Sequence, residues 1–141
     1  IYAILIFGFV ACLGFISSCG YGDETTMQPT PSGPVEPTLN SIQSNIFNIS
    51  CALSGCHAGP NLQQGMSLEK GKAFSNLVNV PSKEVPSLFR VKSSDSANSY
   101  LVQKIEGRAA KGDRMPRKRP PLTSEQIQAI KTWIDNGAQS N

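Results

Sequence analysis

The sequence predicts an all-α fold of about four short helices joined by long loops, and three observations predict it. Apolar residues recur at helical spacing in separate segments. Cap and stop residues bracket those segments. Beyond them, Leu88 to Lys92 is the one stretch with strand character, and it is too short to make a sheet.

In the first segment, Ile42, Ile46, Ile49 and Leu53 follow one another at four, three and four residues, the spacing of one helical face. Asn40 or Ser41 is the expected N-cap, and the segment from Cys51 closes the helix. Ser67 can cap a second short helix carrying Phe74, Leu77 and Val78, which Pro81 ends. Asp95 or Ser96 can start a third, with Tyr100, Leu101 and Ile105 on its buried side and Gly107 as its stop. The last helix is the clearest. After Pro120-Pro121, Thr123 and Gln126 have capping-box spacing, Ile127, Ile130 and Ile134 form an apolar stripe beside Trp133, and Gly137 terminates it.

A chain of 141 residues has room for one domain of this kind. Residues 1–18 stand apart: Ile1 to Ile16 is almost unbroken apolar sequence, too short for a comfortable span of about 20 residues, and it ends in small residues before Cys19. This reads as an export signal whose start is truncated, since it lacks an initiator Met and a basic n-region. Ile16-Ser17-Ser18-Cys19 resembles the lipobox of bacterial lipoproteins, which implies lipidation of Cys19 and a membrane-anchored protein, periplasmic or at the cell surface. An ordinary secretory signal or a membrane anchor that happens to contain a cysteine is the alternative, and each of these also exports the domain.

Residues 19–38 are rich in Thr, Ser, Gly and Pro and acidic at Asp23, Glu24 and Glu36, as expected of an extended flexible spacer. The domain proper is 39–141, and all 13 Lys and Arg lie from Lys70 onward. Its apolar residues are few for so much loop, and a large apolar cofactor would supply buried surface.

Cysteine use narrows the chemistry. With Cys12 removed in the signal and Cys19 carrying lipid, Cys51 and Cys56 remain, to bridge each other or to bind something. They stand in Cys51-Ala52-Leu53-Ser54-Gly55-Cys56-His57, a four-residue-spaced variant of the Cys-x-x-Cys-His attachment pattern for haem c. Two thiols can form thioethers with the porphyrin vinyl groups while the adjacent imidazole reaches the iron, and Gly55 could permit the longer loop to bulge. A simple Cys51 to Cys56 disulfide needs no cofactor and remains open. Zinc is poorer, because it wants four ligands and His57 is the one histidine in the chain.

That single histidine excludes bis-histidine ligation, leaving methionine, another donor or nothing as the sixth ligand. Met27 lies in the spacer and Met66 close after the cysteines. Met115 lies far enough on to fold over the opposite face, in a polar loop where an apolar side chain has little reason to be unless it turns inward; it is the preferred candidate.

The combination of Ser54-Gly55-Cys56-His57-Ala58-Gly59, Asn98-Ser99-Tyr100-Leu101, Arg114-Met115-Pro116 and Pro120-Pro121-Leu122-Thr123 resembles the monohaem class I cytochrome c family, in a branch common among exported bacterial proteins. The resemblance covers Leu39 to Ala138. It implies a small cytochrome c-like bundle around one covalent haem c attached at Cys51 and Cys56. It further implies His57 and Met115 as the axial ligands of the haem iron, and packing of the first helix on the last near Trp133. The cysteine spacing and the basic Arg117-Lys118-Arg119 depart from the family pattern.

The function expected from this is electron transfer, not enzymatic catalysis, with no small-molecule substrate. Two alternatives stay open: a haem-based sensor or peroxidase-like domain with a labile Met115, and a haem-free, disulfide-closed exported binding module. Lys111, Arg114, Arg117, Lys118 and Arg119 could steer an acidic redox partner protein. Export argues against nucleic acid as the partner of these basic residues.

Overall fold

The computed structural model describes residues 33–141. The export signal, Cys12, the lipidation candidate Cys19, Met27 and the spacer up to residue 32 lie outside the described residues.

Helix α1 spans Leu39–Ile42. Its N-cap is Thr38, whose hydroxyl accepts from the Ser41 amide at 3.3 Å. The cap therefore precedes the expected Asn40 or Ser41. At Gln43 the chain widens into a π-helix that runs to Cys51, where amides bond to the fifth carbonyl back, as Ala52 N–H does to Phe47 at 2.7 Å. The change of period changes the buried face. Ile42, Ile46 and Phe47 are fully buried and Cys51 and Ala52 pack against them, whereas Ile49, expected on the buried face from α-helical spacing, is only half-buried. The π-helix thus delivers Cys51 to the edge of the core.

Helix α2 is a single short element, Ala73–Leu77. Ser67 does not cap it. Its hydroxyl instead accepts from the Glu69 amide at 3.3 Å and forms a turn before the helix. Ala73 and Leu77 are its buried residues, while Phe74, expected inside, is exposed. Past α2, Val78 and Pro81 pair with Val91 and Phe89 as isolated bridges, and the described residues form no strand longer than these.

Helix α3, Tyr100–Glu106, starts at Ser99, four residues beyond Asp95. Asp95 caps an upstream turn instead, accepting from the Asn98 amide at 3.1 Å. Tyr100 and Ile105 are buried as expected, together with Val102, and Gly107 ends the helix in the left-handed region at φ 75°. Helix α4, Ser124–Asp135, forms with the full capping box: Thr123 accepts from the Gln126 amide at 3.3 Å and Gln126 Oε1 accepts from the Thr123 amide at 2.9 Å. Ile130, Trp133 and Ile134 are buried, and Ile127 packs against the core from its margin.

The layers close around α4, against which both α1 and α3 pack. Trp133 sits inside this core with its indole N–H on the Gln139 carbonyl at 2.8 Å. The two ends of the described chain meet: the Leu39 and Asn40 amides, free at the start of α1, bond to Asn141 at 3.0 and 2.8 Å. No helix among the described residues is long and apolar enough to cross a membrane.

Candidate functional site

The cysteine segment begins where the π-helix ends. Leu53 accepts from the amides of Cys56 at 2.9 Å and Ala58 at 3.2 Å, which turns the chain through Gly55 at φ 76°, a left-handed conformation that glycine adopts without strain. Cys56 is exposed in this turn and Cys51 is half-buried, and the two form no disulfide with each other. Burial pushes the Cys51 thiol up to about 12, with the neighbouring Cys56 adding to the rise and the positive charge of Arg119 opposing it.

His57 is clamped by the loop that follows it. Its carbonyl accepts from the Leu68 amide at 2.8 Å and its Nδ1 lies 3.2 Å from the Met66 carbonyl oxygen. A carbonyl can only accept, so the proton of this bond is on Nδ1, and in the neutral ring the lone pair is then on Nε2. Burial holds the imidazole below its ordinary pKa, backbone hydrogen bonds at Met66 and Gln63 oppose that, and the charges of Arg90 and Lys104 reinforce it.

The anchor of this clamp is Leu68, fully buried in the core, whose own carbonyl accepts from the buried Gln43 amide at 2.8 Å. Met66, weighed from sequence as a possible sixth ligand, packs against the core, and its backbone rather than its sulfur engages the imidazole. A second brace is the buried Arg90, whose guanidinium donates to the Asn76 and Gln64 carbonyls, each at 2.8 Å. Sequence reasoning missed it. The available signal was an arginine between Phe89 and Val91 in the short extended stretch.

Met115 is half-buried, and its amide donates to the Lys104 carbonyl at 3.0 Å. The structure thus ties it to α3, to the residue whose side-chain charge is felt at His57. Further along the same loop, Arg119 reaches Cys51 electrostatically, and its buried Nε has no hydrogen-bond partner among the described residues. The expected basic cluster is divided. Arg119 turns inward, Arg117 is matched by Asp113 at 2.6 Å, and Lys111, Arg114 and Lys118 are exposed.

Two surface hollows among the described residues lie elsewhere. One, about 570 Å³, runs along α4 beside Val35 and Pro37, and the other, about 100 Å³, lies between α1 and Phe74. Among the described residues no three His, Cys, Asp or Glu side chains gather as a metal-ion site. Comparison of the chain with family models, with curated proteins and with solved structures returns no match.

Proposed function

We propose that this chain is a one-electron carrier with one covalent haem c, held by Cys51 and Cys56, with His57 and Met115 as axial ligands. The observation that carries the reading is the bond from His57 Nδ1 to the Met66 carbonyl. It selects the tautomer whose Nε2 can donate to a metal and fixes the ring's orientation, the support that ligating histidines characteristically have. The donor set also fits the group: two thiols within electrostatic reach of each other lie in the segment that ends at this imidazole, and Met115 would add a thioether. The buried Nε of Arg119 would gain the partner it lacks from a carboxylate such as the porphyrin carries.

Bound there, the haem would supply a one-electron iron couple, and a neutral thioether opposite an imidazole favours the reduced state. The chain's own residues do the rest. Gln43 and Leu68 keep the histidine loop in place, Met66 orients the ring, and Lys104 holds the Met115 backbone. His57 and Met115 would both be committed to holding the iron, which would leave no open position on it for a substrate. Lys111, Arg114 and Lys118 remain exposed to steer an acidic partner protein, a smaller patch than the sequence alone suggests. The lipobox at Cys19 supports export and a lipid anchor.

A pyridine haemochrome assay on protein produced with a cytochrome c maturation system tests the proposal. A stoichiometric haem c spectrum that survives denaturation is expected, and a colourless product would refute it. In the loaded protein, Met115→Ala is expected to abolish the low-spin spectrum of a thioether-ligated iron; an unchanged spectrum would remove Met115 from the assignment.

A further inference from the structure

We propose that the ion pair of buried Lys104 and half-buried Glu84, together with the Tyr100 hydroxyl, is the positioning device that holds the Met115 loop closed. Lys104 lies on α3 and Glu84 on the loop after Ser82, and their side chains meet at 3.2 Å in a place where Lys104 is almost wholly enclosed. Tyr100, one helical turn before Lys104, shares its one hydroxyl proton between two acceptors, Glu84 Oε2 at 3.0 Å and the Lys111 carbonyl at 2.8 Å. Lys104 Nζ also donates to Lys111 at 3.3 Å and stands 5.7 Å from the centre of the Tyr100 ring. The loop is therefore gripped at Lys111 by side chains and at Met115 by the Lys104 backbone.

Gly112 shows how closely the loop lies on this pair. A Cβ there would come within 2.5 Å of both Glu84 Oε1 and Lys104 Nζ, so the glycine backbone closes directly over the ion pair. Glu84 is the member that everything converges on. It neutralises the buried ammonium and accepts from the tyrosine, and without its charge the ammonium would be left enclosed and unpaired. Opening the loop to water would then be favoured. The hold on the loop stands on these contacts alone; that the loop's task is to present Met115 to an iron rests on the haem reading.

The test is amide hydrogen exchange in the full chain carrying Glu84→Gln, followed by NMR. The Met115 amide is protected by its bond to Lys104, so its exchange reports loop opening. Losing a charged hydrogen-bonded partner is expected to speed its exchange roughly ten- to a hundredfold while the amides of Ile130 and Trp133 in α4 stay as they were. An unchanged Met115 rate would overturn the proposal, and so would equal acceleration in α4, which would make the cluster a general support of the domain. If Glu84→Gln does not fold, Tyr100→Phe, which removes the bonds to Glu84 and Lys111 and leaves the ion pair, gives the same readout with a smaller acceleration.

Haem-loaded Glu84→Gln is expected to show partial loss of the thioether-ligated spectrum, restored by Glu84→Asp. A colourless protein with a faster Met115 amide would refute the haem reading and leave the loop device standing.

Discussion

His57 Nδ1 donates to the Met66 carbonyl at 3.2 Å, while the His57 carbonyl accepts from the Leu68 amide at 2.8 Å. One residue is thus held through ring and backbone by the two ends of a three-residue stretch. The stretch in turn depends on Gln43, whose side-chain amide donates to the Leu68 carbonyl at 2.8 Å and to Asn48 at 2.7 Å.

Gln43→Ala should therefore destabilise the domain although Gln43 lies far from His57 in sequence. It leaves the buried Leu68 carbonyl without its side-chain donor, which costs about 1–3 kcal/mol. Urea denaturation of the apoprotein checks this: the midpoint falls with the slope unchanged. An unaltered midpoint would mean that water replaces the amide freely.

The π-helical register predicts an asymmetry between two neighbouring apolar residues. Phe47 is 1% exposed and Ile49 half-buried. Phe47→Ala should cost about 3–5 kcal/mol, and Ile49→Ala clearly less than the full cost of a buried isoleucine. Paired thermal or urea melts of the two variants measure the difference. Equal losses, or a larger one at Ile49, would restore the α-helical face.

Asp95 supplies a pH dependence. Hydrogen bonds from Lys92 and Asn98 hold its carboxyl down to about 2, below its ordinary value of 3.8. Since the folded value is the lower one, the unfolded chain takes up the proton first. The stabilisation is complete above about pH 4 and is lost as pH falls toward about 2. The Asp95→Asn variant should show a flatter decline of melting temperature than the parent between those limits, and identical slopes would show that the carboxylate does not contribute.

The two thiols should react unequally before any cofactor is attached. Cys56 is exposed, whereas burial pushes the Cys51 thiol up to about 12, and the thiolate is the reactive form. Treating reduced apoprotein with iodoacetamide at mildly alkaline pH should modify Cys56 first, with Cys51 following only on unfolding. Peptide mass mapping reads this directly. Simultaneous labelling would mean that the turn at Gly55 opens faster than the reagent reacts.

Much of this architecture was legible in the sequence because its determinants are local. Helix α4 follows from Thr123 and Gln126 three residues apart and an apolar stripe that matches the α-helical period, and Gly107 ends α3 as a glycine in the left-handed region should. The juxtaposition of Cys51, Cys56 and His57 follows from chain adjacency, and Met115 stands out as an apolar residue in a polar loop.

What only the tertiary structure decided depends on partners remote in sequence. The shift to a π-helix at Gln43 puts Phe47 in the core in place of Ile49. The orientation of the His57 ring is set by a carbonyl nine residues on, and the closure of the Met115 loop by Glu84 on a segment before α3. Hydrogen bonds of this kind leave no periodic trace in the chain, because carbonyls carry no residue identity and a buried ion pair becomes visible only when folding removes the water around it.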